Sequence, residues 1–122
     1  VNTSNRPWAT ILIVEDLDWI RSGMKSAVRR LGHVVAEATD DAEAIEAGEA
    51  EPPDLILTEE ELPTFDSLMT RLSQHPTLRD IPVIIINPDA DEHTHYGDAV
   101  VLNGYEQLPS LLLRRAGTHD DE

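Results

Sequence analysis

Five short runs of mostly branched apolar residues punctuate this chain: TILIV at 10–14, VVA at 34–36, LIL at 55–57, VIII at 83–86 and AVVL at 99–102. None alternates apolar with polar residues, as a strand with one wet face does. Continuous runs of this length suit parallel strands buried on both faces, which need crossover segments between them. The intervening sequence has that character. Ile20, Met24, Ala27, Val28 and Leu31 recur at spacings of three and four, with Arg21, Lys25 and Arg29 on other faces and Gly32 as a stop. That pattern predicts an amphipathic helix with a glycine end. Residues 40–50 are acidic and alanine-rich behind a capping aspartate, and residues 66–74 repeat the logic with Leu68, Met69 and Leu72. Residues 108–116 make a last short helix, with Pro109 tolerable near its start.

Strand and helix thus follow each other five times, which predicts an α/β fold: a doubly wound, five-stranded parallel sheet in a three-layer sandwich. One segment departs from the pattern. NPDADEHTHYGD at 87–98 is polar, carries Pro88 and Gly97, and has almost no apolar face, so the fourth helix is expected to be short or missing. Residues 1–9 and 117–122 read as tails around one domain at 10–116, and 122 residues suffice for a single core.

Charge narrows the partners. Twenty-four Asp and Glu against nine Lys and Arg give a formal charge of −15, which repels nucleic-acid backbones and anionic membranes and favours proteins, cations or small molecules. The absence of cysteine removes thiolate and disulfide chemistry. No apolar segment has the length of a membrane span or a signal-peptide core, so a cytoplasmic location is the expectation.

In doubly wound sheets the site lies at the carboxyl ends of the strands, where the strand order switches. The first run ends in Glu15 and Asp16, the third in Glu59, the fourth in Asn87 and the fifth in Asn103. Three carboxylates in one shallow pocket outline a site for a hard cation such as Mg²⁺, which takes oxygen ligands.

These residues resemble a known family. ILIVED at 11–16, GHVVAEA at 32–38, PDLILTE at 53–59 with LP at 62–63, and IPVIII at 81–86 are similar, in order, to the strands of response-regulator receiver domains of two-component signalling. The resemblance spans residues 10–116 and implies the flavodoxin-like receiver fold. It also implies a pocket in which an aspartate ending the third strand takes a phosphoryl group from a histidine kinase. Here that position is Glu59. The family's Ser or Thr after the fourth strand is Asn87, and its lysine after the fifth is Asn103, or Leu108 if LP at 108–109 is matched to the family's Lys-Pro. Asn103 is preferred, because that register keeps AVVL as a strand. In either register the chain's only lysine is Lys25, in the first helix.

Phosphoryl transfer to a carboxylate needs a positioned oxygen, Mg²⁺ and donors for the transferred oxygens. Glutamate moves the carboxylate out by roughly 1.5 Å, where an error of about 1 Å costs on the order of a hundredfold in rate. Glu15, Asp16 and Glu59 without an ammonium among them raise at least one carboxyl pKa unless a cation enters. Three states are therefore open: a weakly bound Mg²⁺, ligated by Asp16, Glu59 and the main-chain carbonyl of Glu61, with Trp19 as its reporter; a shared proton; or a vestigial pocket that binds nothing tightly. The side chains of Glu60 and Glu61 read as solvated loop acids, and His93 and His95 as surface residues. Under the Leu108 register the resemblance makes Tyr105 the family's aromatic switch; under the preferred register it reads as a loop or helix-cap aromatic, and Arg114 and Arg115 read as complements to the last helix dipole.

The expected function is that of a pseudo-receiver: a protein-interaction module without enzymatic activity, controlled by something other than aspartyl phosphorylation. Two alternatives stand beside it. One is a still-switchable receiver phosphorylated on Glu59 or Asp16 by a histidine kinase or a small phosphodonor; the other is a structural dimerisation domain. Protein partners, including a second copy, are expected, on a surface built by the first and last helices.

Overall fold

The computed structural model describes residues 9–116, and their side chains as far as Leu112. Both expected tails, and the helix-end roles of Arg114 and Arg115, fall outside that range. The elements run β1 (Thr10–Val14), α1 (Asp18–Arg30), β2 (Val34–Ala38), α2 (Asp41–Ala50), β3 (Leu55–Glu59), α3 (Phe65–Gln74), β4 (Val83–Ile86), β5 (Val100–Leu102), a short 3₁₀ turn (Tyr105–Gln107) and α4 (Leu108–Ala116). All strand pairs are parallel, in the order β2-β1-β3-β4-β5.

The unbroken apolar runs have a direct structural cause. Ile11, Ile13, Leu55, Leu57, Ile84 and Ile86 point to one face, where Met24 and Val28 of α1 and Leu108, Leu111 and Leu112 of α4 close a core over them. Leu12, Val14, Ile56 and Ile85 point to the other, under Ala44 of α2 and Phe65, Leu68 and Leu72 of α3. These strand positions are apolar on alternate residues and again on the residues between because both faces are covered. Each large aliphatic side chain so buried contributes about 1.5–3 kcal/mol relative to its exposed state. Thr58, the one polar residue inside β3, satisfies its hydroxyl by donating to the Val14 carbonyl at 2.9 Å.

Local signals set the helix ends. After α1 the chain reverses at Gly32, whose φ of 91° needs a residue without Cβ and whose amide donates to the Arg29 carbonyl at 2.8 Å. At α2 the Asp40 side chain accepts from the Glu43 amide at 2.9 Å, while Glu43 accepts from the Thr39 amide at 2.8 Å. This reciprocal capping fixes the turn that follows β2. Asp40→Ala is expected to cost about 1 kcal/mol, seen as a fall in Tm of roughly 4 °C; an unchanged Tm would show that the cap is dispensable.

Between β4 and β5 the described chain has turns and no helix. The polar composition of this segment offers no apolar stripe to hold a helix against the sheet. Consequently α2 and α3 alone cover the second face, and β5 is only three residues long and half-buried. No helix among the described residues is long and apolar enough to cross a membrane.

Candidate functional site

β1 and β3 are neighbours at the centre of the sheet, so their carboxyl ends lie side by side, and residues expected to meet do so. Val14 pairs with Thr58, placing Glu15 beside Glu59. Glu15 prolongs the ladder, its amide donating to the Ala38 carbonyl at 3.0 Å. Its side chain turns inward and is 1% exposed. One oxygen, Oε2, accepts from the Leu17 amide at 3.0 Å. The other, Oε1, is buried and meets no donor. Its neighbours are the acids Glu59 and Asp16, which cannot donate while ionised.

A proton resolves that conflict. Burial pushes the Glu15 carboxyl up to about 8, and the carboxyls of Glu59 and Asp16 act in the same direction, against the lowering effect of the Leu17 amide. At neutral pH Glu15 is therefore held mostly as the neutral acid, able to donate where a second carboxylate would only repel.

Glu59 has a second partner that the sequence did not disclose. The hydroxyl of Tyr105, in the turn after β5, donates to Glu59 Oε2. Tyr105 sits, as expected, in the turn that leads into α4 and is 39% exposed, and from there its hydroxyl meets the Glu59 carboxylate. Burial and the nearby Glu59 carboxylate both raise the Tyr105 pKa, so the phenol stays a donor throughout the physiological range.

The remaining expected site residues lie around this trio rather than in it. Asp16 is exposed, whereas Asn87 is 8% exposed and fully engaged elsewhere. Its amide donates to the Leu102 carbonyl at 2.8 Å, its Nδ2 to the Tyr96 hydroxyl at 3.0 Å, and its Oδ1 accepts from the Asp89 amide at 3.0 Å. Asn103 directly follows β5 and is exposed, while Leu108, the first residue of α4, is 1% exposed in the core. AVVL therefore supplies the strand, as in the preferred register. Lys25 is far from serving the pocket, because its ammonium pairs with Glu37 at 3.0 Å. Arg21 comes nearest, donating to the main-chain carbonyl of Glu15 at 2.9 Å while binding Asp18 and Glu37.

After Glu59 the chain turns at once. The Glu60 amide donates to the Ile86 carbonyl at 2.9 Å, the Leu62 amide donates to the Glu59 carbonyl at 3.1 Å, and Leu62 returns to the core. Glu61 is exposed and Glu60 half-buried. His93 and His95 are exposed as well.

One Glu59 oxygen accepts from Tyr105 and Glu15 is held as an acid, so a cation on the expected ligands Asp16, Glu59 and the Glu61 carbonyl would compete with that phenol; among the described residues no group of three His, Asp or Glu side chains is arranged to hold a metal ion. Trp19, the expected reporter, is 75% exposed at the start of α1 and faces water.

Comparison with known proteins agrees with this fold. Residues 11–107 match the family described as "Response regulator receiver domain". Over 79 residues, 63% of this chain, the sequence is 39% identical to a gliding motility regulatory protein of Myxococcus xanthus, and the match spans 10% of that protein. In three dimensions it is similar to the signal receiver domain of a signal transduction histidine kinase from Syntrophus aciditrophicus, with a TM-score of 0.72 and 22% identity over 93% of each chain. It also superimposes on a chemotaxis response regulator of Vibrio cholerae, with a TM-score of 0.77 and 20% identity over 88% of this chain and 98% of that one. A third similar structure, the receiver domain of a sensor histidine kinase from Pseudomonas aeruginosa, was solved with a magnesium ion coordinated in its active site cleft. Its TM-score is 0.74, with 22% identity over 91% of this chain and 99% of that one.

Proposed function

Because this chain belongs to the response regulator receiver domain family, we propose that it is a phosphorylation-independent member of that family, a signalling module that works by binding protein partners. One observation carries the reading. The residue at the acceptor position is a glutamate, and one of its carboxylate oxygens accepts from the Tyr105 hydroxyl while the group stands beside a buried, protonated Glu15, so the carboxylate is held by neutral donors and not by a cation. The groups that the family uses to hold the transferred phosphoryl are replaced by Asn87, whose side chain is engaged with Tyr96 and Asp89, and by the exposed Asn103.

The chemistry follows from these placements. A carboxylate attacks phosphorus only when metal or donors offset the charge of both partners, and this pocket supplies a neutral acid and a phenol instead. A dianionic phosphoryl group would have to enter beside Asp16 and Glu59 with no ammonium to receive it. The family match to a receiver domain supports reading it as a non-enzymatic signalling module. Its charge of −15 directs it to proteins rather than nucleic acids or anionic membranes, in keeping with a cytoplasmic place.

Intact mass spectrometry after incubation with acetyl phosphate and Mg²⁺ tests the proposal. The expected spectrum is that of the unmodified chain. A stable gain of one phosphoryl group on Glu59 or Asp16 would sink the proposal in favour of a switchable receiver. A structural dimerisation domain, by contrast, would show a dimer mass in solution and no third-party partner.

A further inference from the structure

The helix missing between β4 and β5 leaves a groove of about 850 Å³ beside α3. Its floor is apolar, made by Met69 and Leu72 of α3, by Ile81 and Val83 leading into β4, and by Ala99 before β5. Met69, Ile81, Val83 and Ala99 are packed against the second core and only partly covered. Three aspartates, Asp66, Asp80 and Asp98, stand on its rim against a single cation, Arg79.

We infer that this groove is the docking site for an amphipathic helix of a protein partner, apolar on the side facing the sheet and bearing Lys or Arg on its flanks. Size is the first reason. Two turns of helix, a cylinder roughly 10 Å across and about 11 Å long, occupy on the order of 800 Å³, which matches the groove. Charge is the second: the acidic rim, on a chain of net charge −15, complements a basic helix and opposes a second copy of this chain. Position is the third. Tyr96 lines the groove, stacks edge-on against Phe65 at 5.2 Å between ring centres, and receives the Asn87 side-chain hydrogen bond at the end of β4. A helix seated there touches the residue that joins the groove to the strand ends. The partner surface thereby moves from the first and last helices, where the sequence had put it, to the face that the lost helix uncovers.

The inference rests on reading the domain as a protein-binding module, though not on its inability to be phosphorylated. The probe is a capped peptide of about sixteen residues, long enough to populate a helix, with leucines on one face and lysines on the other. Its control is the same composition with the leucines scattered around the helix. Binding is followed by NMR on the full chain. The expected result is saturable shifts at Met69, Ile81, Val83 and Ala99 and at the Asn87 side-chain amide, with the scattered peptide at least tenfold weaker. Asp66→Lys with Asp80→Lys and Asp98→Lys is expected to weaken binding about tenfold, the order that three exposed charge pairs supply. Met69→Arg, on the exposed edge of α3, is expected to weaken it by a similar factor while the remaining spectrum stays folded. Shifts centred on α1 and α4, equal binding of the two peptides, no binding, or concentration-dependent shifts of the groove without peptide would each overturn the inference. Repeating the titration after acetyl phosphate and Mg²⁺ separates the two readings: a mass gain with unchanged docking removes the proposed function and leaves the groove.

Discussion

Replacing Glu15 with glutamine is expected to make this protein more stable at pH 8, by on the order of 3 kcal/mol, although it removes an ionisable side chain from the heart of the pocket. The folded-state carboxyl is raised to about 8 from a reference of 4.5. A carboxyl raised by folding binds its proton more tightly in the native state, so its contribution is fully present below about pH 4.5 and is lost as pH rises through about 8. Each unit of difference corresponds to about 1.4 kcal/mol, and most of the interval has been crossed at pH 8. Glutamine keeps the two useful features of the neutral acid. Its carbonyl can accept from the Leu17 amide, and its amide can donate towards Glu59, at every pH. Urea titrations of both proteins at pH 5 and pH 8 supply the check. The two are expected to be close at pH 5 and to diverge as pH rises, with wild type the weaker. Other carboxyls, such as Glu37, held low by Lys25 and Arg21, titrate alike in both proteins and cancel in the difference. If Glu15→Gln is equally or less stable at pH 8, Glu15 is ionised in the native protein and the shared-proton pocket is wrong.

The second large effect concerns phosphorylation. The combination Glu59→Asp, Asn87→Thr and Asn103→Lys is expected to convert a chain that shows no mass gain with acetyl phosphate and Mg²⁺ into one that is modified on the shortened carboxylate at position 59. Shortening the acceptor withdraws it from Tyr105 and returns the carboxylate to the strand end, which is worth about a hundredfold where placement is wrong by roughly 1 Å. An ammonium beside the transferred oxygens adds a further 10²–10³-fold or so, the order that removing one such donor costs. The combined gain is on the order of 10⁴ or more. Glu59→Asp alone is expected to stay near the baseline, because the exposed position after β5 still carries Asn103 and Asn87 still serves Tyr96. Modification of the single variant at the rate of the triple would show that side-chain length alone silences the pocket.

Tyr96 and Tyr105 show where reading a sequence stops. Both lie in segments without a periodic apolar face, and their roles come from contacts with Asn87, nine residues before Tyr96, and with Glu59, 46 residues before Tyr105. Nothing local distinguishes a tyrosine that reaches a pocket from one that covers a loop. The pairing of Glu15 with Glu59 was different, because parallel neighbours with a known register bring their ends together wherever the strands form. Leu108 and Asn103 illustrate an intermediate case. Two registers fitted the sequence, and the burial of Leu108 as the first residue of α4 together with the three-residue strand at Val100–Leu102 decided between them.

The sequence by itself determined the α/β fold, the places of four helices and five strands, the loss of the helix after β4, and the identity of the acids at the strand ends. Periodicity and the composition of each segment encode those features locally, because burial on one face or two leaves a pattern along the chain. Only the tertiary structure decided the state of the pocket and the shape of the surface. Whether Glu15 holds a proton depends on its depth and on Glu59, brought beside it and its neighbour Asp16 from another strand, and the groove beside α3 exists only because neighbouring elements fail to fill it. Desolvation and the space between elements are properties of the assembled fold, and no single stretch of chain records them.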